Sequence, residues 1–114
     1  MIFCTDCQKA TGTGHASVVA LPRSAVKLTG ETRAYAMKGA SGMSIARHFC
    51  PTCGSLLYSE PEVMAGFINV YAGTLDDPSI FQPQVAIYTR DRAPWDRLSG
   101  ALMEFETVPP RPAG

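Results

Sequence analysis

The chain has no run of basic residues, no long apolar stretch and no sustained helical period, and each absence excludes a class of function. Lys plus Arg number 10 and Asp plus Glu number 10, so the formal net charge is zero. No Lys/Arg cluster is present to neutralise a phosphate backbone, so no nucleic-acid partner is expected. The same balance argues against an anionic membrane surface. No apolar segment approaches the roughly 20 residues that span a bilayer. Met1 to Asp6 carries neither the basic nor the apolar region of a signal peptide, which makes a cytoplasmic location the expectation. No Ser-His-Asp set, phosphate loop or dinucleotide fingerprint is visible.

What is there is a series of short strand-like runs. At 46% hydrophobic and 18% charged, the 114 residues have an ordinary globular composition. They are expected to form one domain over residues 1–107, followed by a loosely held Pro-rich tail over 108–114. Strands are expected at Ala16–Leu21, Val26–Leu28, Arg33–Lys38, Met43–Cys50, Ser55–Ser59, Phe67–Ala72, Val85–Thr89 and Leu102–Glu106. They are β-branched, aromatic or alternating runs punctuated by Gly, Pro and Asp. Single helical turns are expected at Leu21–Ala25, around Pro22, and at Asp76–Phe81, with an Asp as cap. The fold class read from this pattern is mostly β.

The four cysteines form two Cys-x-x-Cys pairs, Cys4/Cys7 and Cys50/Cys53. In a reducing compartment such pairs point to metal or redox chemistry before disulfides. A tight turn aims both thiols of a pair at one ion, and Gly54 supplies the permissive backbone that such a knuckle needs. Together the pairs make four thiolates, a closed tetrahedral set for Zn2+. A redox pair is the competing reading, but it wants its first Cys at a helix N-terminus, whereas Gly54–Ser59 reads as a strand. Buried inert thiols are the third reading.

Four motifs in order resemble one family. Cys4-Thr5-Asp6-Cys7-Gln8-Lys9-Ala10-Thr11-Gly12 is similar to its CHCxDCRKxTG segment, and Phe49-Cys50-Pro51-Thr52-Cys53-Gly54-Ser55 to its FCxxCGS segment. Ala72-Gly73-Thr74-Leu75-Asp76-Asp77-Pro78 resembles AGTLDDP, and Ala93-Pro94-Trp95 resembles APW. The family is that of the glutathione-dependent formaldehyde-activating enzymes, which includes centromere protein V. The resemblance implies an Mss4-like fold of small coiled antiparallel sheets, and carbon–sulfur lyase chemistry on adducts of glutathione, or another small thiol, with aldehydes. It also implies zinc, with Cys4 and Cys7 matching two of three catalytic-site ligands and Cys50 and Cys53 two of four structural ligands. Two departures are visible. Ile2 stands where the family carries the first catalytic-site Cys, and the N-terminal Cys-x-Cys-Gly segment is absent. A late start, one site shared by both pairs, and a metal-poor relative remain open. The absent segment would leave a sheet edge that invites pairing with a second copy. A non-catalytic zinc module that binds a protein partner is the alternative function.

The remaining polar residues read structurally first. Asp6 is a turn former for the first knuckle before it is an acid/base group. His48 is a hydrogen-bonded strand histidine before it is a ligand. His15, after Gly12-Thr13-Gly14, is an exposed loop residue before it borders a pocket. Arg90 and Arg92 are a solvated pair before they grip a carboxylate. Trp95 is a core or rim anchor. None of these stands out as a general base.

Overall fold

In the computed structural model, residues 1–100 and 102–109 are described. The expected tail is therefore seen only at Val108 and Pro109, and the rest lies outside the described residues. The chain divides into two compact units, one of residues 1–17 and 82–114, the other of residues 18–81. The fold is mostly β, as the alternating runs imply.

The second unit is a five-stranded antiparallel sheet. Its strands are β1 (Val18–Pro22), β2 (Arg33–Lys38), β3 (Ser44–Phe49), β4 (Leu56–Pro61) and β5 (Phe67–Tyr71), in spatial order β1-β5-β4-β3-β2. β1 and β2 are consecutive in the chain but occupy opposite edges. That arrangement explains why no strand forms at Val26–Leu28. Five strands at about 4.8 Å spacing are about 19 Å across, and the connection must run past all of them. Among the described residues Val26–Leu28 has no strand partner. The chain leaves β1 at Pro22, which an edge strand tolerates, through a 3-10 turn at Arg23–Ala25. The Arg23 backbone N–H bonds to the Gly66 carbonyl at 2.8 Å and pins this turn beside β5. Edge strand β2 is almost fully exposed and carries Arg33 and Lys38, charges that discourage further strand addition.

In the middle of the sheet, Arg47, Ser59 and Asn69 are register partners across β3, β4 and β5, and all three are buried. Ile68 is the fully buried apolar side chain of this unit. A register shift between His48 and Phe49 kinks β3 against β4 just before Cys50. The second expected helical turn is present at Pro78–Ile80, with Asp77 as its cap.

The first unit holds one helix, α1 (Thr5–Thr11), and a two-stranded pair, β6 (Val85–Ala86) with β7 (Met103–Glu104). This pair is parallel, unlike the large sheet. Residues 87–102 are long enough to carry the chain back to the same end, as a parallel connection requires. Single bridges join Ile2 to Ala16 and to Ile87, and the adjacent Phe3 is fully buried.

Candidate metal centre

The first cysteine pair sits on a helix rather than in the expected turn. Gln8, Lys9 and Ala10 are good helix formers. Gly12, at φ 71°, ends the helix in the left-handed conformation and returns its N–H to the Gln8 carbonyl. Cys4 is the N-cap: its Sγ accepts the Cys7 backbone N–H at 3.3 Å, and its thiol donates to Cys7 Sγ at 2.8 Å. Both thiols are buried, at 5% and 6% exposure. The Gln8 side-chain amide donates to the Phe3 and Asp91 carbonyls, each at 2.8 Å, and so ties the helix start to the 3-10 turn at Thr89–Asp91. Asp6 lies in the first turn of α1, where its charge suits the helix dipole.

Tyr88, Asp96 and His15 carry more in this unit than sequence reading assigned to them. Tyr88, read as mid-strand, is buried and has φ 55°, a left-handed conformation unusual for a side chain of its size. Burial pushes its hydroxyl above the ordinary range, Cys4 adds to that shift, and Arg90 opposes it. Asp96 is buried and lies 2.7 Å from His15 Nδ1, so His15 is a paired, half-buried residue and not an exposed one. The His15 ring also lies 5.3 Å from that of Phe3. Gly14 makes this pairing fit: a Cβ there would stand 2.3 Å from Asp96 Oδ2 and 2.8 Å from its Cβ. The Gly before His15 and the acid after Trp95 were the available signals, but nothing in the sequence pairs them.

Arg90 and Arg92 have separate duties. The Arg92 guanidinium lies 4.6 Å from the centre of the Phe3 ring and pairs with Glu104, while Arg90 lies over Tyr88 at 5.8 Å. Trp95 is 69% exposed, so the core reading fails. Its neighbour Asp96 takes the inward position instead.

The second pair forms a knuckle of the expected kind after β3. Cys50 N–H bonds to the Ser55 carbonyl at 2.9 Å and Gly54 N–H to the Cys50 carbonyl at 2.8 Å, with Gly54 at φ 78°. Cys53 is exposed and Cys50 intermediate. The Ser55 hydroxyl, 3.1 Å from Cys53 Sγ, holds that thiol below its ordinary range, with help from the Ser55 backbone and Cys50. His48 is a bonded strand histidine. Its Nδ1 meets Thr32 Oγ1 and its Nε2 meets Glu60 Oε2, each at 3.1 Å, and its ring stacks on Tyr58 at 4.2 Å.

Thiol pairs of this kind suit zinc in donor chemistry, and each supplies half of a four-coordinate shell. Two sulfurs 2.3 Å from one zinc stand about 3.8 Å apart, so the Cys4/Cys7 pair would open by about 1 Å to hold it. Among the described residues no group of three or more His, Cys, Asp or Glu side chains gathers as a metal-binding set. No described helix is long and apolar enough to cross a membrane. No curated protein matches the chain. In a comparison with protein families, residues 1–91 match the family described as glutathione-dependent formaldehyde-activating enzyme.

Proposed function

Because the chain belongs to the glutathione-dependent formaldehyde-activating enzyme family, we propose that it is a cytoplasmic zinc protein acting as a carbon–sulfur lyase on adducts of glutathione, or another small thiol, with formaldehyde. The match over residues 1–91, which includes both cysteine pairs, carries this reading. In the forward direction the thiol sulfur bonds to the carbonyl carbon and the proton passes to the carbonyl oxygen, giving an S-hydroxymethyl thiol. The reverse breaks the same bond.

Cys4 and Cys7 would hold the zinc of the reacting site, and Cys50 and Cys53 that of a structural site. A zinc with an open position supplies a docking point for a thiolate and polarises a carbonyl. The chain's own residues prepare the place. The Cys7 N–H would steady the charge that Cys4 Sγ carries as a zinc ligand, burial of the pair excludes water, and Gln8 fastens the start of α1. Tyr88 keeps its hydroxyl proton at neutral pH and so remains a hydrogen-bond donor in this unit.

A second reading is favoured by the near-complete burial of Cys4 and Cys7, which leaves little surface for a thiol to approach. In that reading the chain is a non-catalytic zinc module, and it binds a protein partner or a second copy of itself.

The test is zinc per chain after chelator-free purification, with thiols titrated before and after metal removal, alongside adduct exchange by NMR. The enzyme reading expects bound zinc and exchange of the glutathione–formaldehyde adduct faster than the spontaneous rate. Protected thiols with exchange at the spontaneous rate support the module. Metal-free chain with four reactive thiols refutes both.

A further inference from the structure

The surface of the unit of residues 18–81 carries an open cleft of about 300 Å³ that uses none of the cysteines. That volume is at the lower end of small-molecule sites. Its polar lining comes from Arg23, Ser44, Glu60 and Glu62, and its apolar lining includes Pro61, Ala65 and Phe67. A set of bonds holds two of these charged groups in place. Thr32 Oγ1 and Glu60 Oε2 each lie 3.1 Å from a ring nitrogen of His48, and Glu60 Oε1 accepts from Arg23 Nη1. Both Glu60 oxygens are therefore engaged. The Arg23 backbone is fixed by its bond to the Gly66 carbonyl.

The unspent capacity decides what fits. Arg23 uses one of its five N–H donors on Glu60, and a guanidinium matches a carboxylate bidentately. Ser44, which also lines the cleft, carries a further donor in its hydroxyl. Glu62 accepts the Ser44 backbone N–H through Oε2 at 3.2 Å, which leaves Oε1 for a cation. Phe67, 42% exposed, offers apolar surface beside them. A ligand using all three features has a carboxylate, an ammonium and an apolar body within about 300 Å³. We propose that this cleft is a binding site for a free α-amino acid with an apolar side chain: the carboxylate on Arg23 and Ser44, the ammonium on Glu62, and the side chain against Pro61, Ala65 and Phe67. The inference goes beyond the thiol–aldehyde reading and does not depend on it.

The test uses the full chain and amide NMR, with leucine as the probe. Saturable shifts are expected at Ser44, Ala65, Gly66 and Phe67. 3-Methylbutylamine, which lacks the carboxylate, and 4-methylpentanoate, which lacks the ammonium, should each bind at least about tenfold more weakly, as loss of one charge-assisted contact implies. Arg23→Gln and Glu62→Gln should weaken leucine by a similar factor, with an otherwise unchanged spectrum reporting an intact fold. Ala65→Tyr fills the cleft and should abolish binding while keeping both charges, so it tests the site independently of the charge variants. Absence of saturable leucine shifts overturns the proposal. So does equal binding of either analogue, or leucine affinity unchanged in all three variants.

Discussion

At the residue scale, the tightest constraint is the contact between Gly14 and Asp96. A methyl group at residue 14 would meet Asp96 Cβ at 2.8 Å as well as its carboxylate, so turning the side chain aside does not relieve the clash. Asp96 is also buried and bonded to His15. Gly14→Ala should therefore cost about 1–3 kcal/mol, the range for overpacking a tight site, measured by urea denaturation. An unchanged midpoint would show that Asp96 can leave its position freely. Local chemistry gave sound guidance where a residue's partners are close in sequence, as with Gly54 and the second knuckle. It failed for His15 and Trp95, because His15 is paired by a residue 81 positions away and Trp95 yields the inward position to Asp96.

At the element scale, the 3-10 turn at Pro78–Ile80 rests on a single side-chain cap. Asp77 Oδ1 accepts the Ser79 N–H at 3.1 Å, and bonds from the Ser79 hydroxyl and backbone hold its carboxyl below the ordinary 3.8. A depressed carboxyl stabilises the fold fully above its unfolded value, and that contribution is lost as pH falls through the folded value. NMR titration of Asp77 should show a midpoint below 3.8, and Ser79→Ala should move it back up. A midpoint already at the ordinary value would remove the cap from the account. The same scale shows what periodicity missed. α1 spans only seven residues, too few to display a 3.6-residue pattern, and its only apolar side chains are Cys7 and Ala10. Its end signals, Cys4 as an unconventional cap and Gly12 in the left-handed region, had to be seen in place.

At the scale of the whole molecule, few of the described side chains are fully buried, and each unit leans on one large apolar residue. Phe3 and Ile68 are both at 0% exposure. Truncating either leaves a cavity that its neighbours fill only in part. Phe3→Ala should cost about 3–5 kcal/mol and Ile68→Ala about 2–5 kcal/mol, read from urea midpoints. Domains of this kind have about 5–15 kcal/mol in total, so either loss is severe. A cost below about 1 kcal/mol for Phe3→Ala would mean that the first unit is held by something other than this ring. Arg92 above Phe3 and the Ile2 bridges on either side are what a collapsed site would disturb.

The sequence by itself determined the mostly β class, the main strands and the knuckle at Cys50 and Cys53, because strand pairing and such turns obey rules written over a few residues; it did not determine that the first pair sits on helix α1. The four motifs determined the family, since they are local and ordered. Tertiary structure alone decided which strands are neighbours and that β1 and β2 take opposite edges, which leaves the segment between them without strand structure. It likewise decided the pairing of His15 with Asp96, and the network from Thr32 through His48 and Glu60 to Arg23. These contacts join residues 12 to 81 positions apart. Their geometry depends on how the whole chain returns upon itself, which no short window of sequence contains.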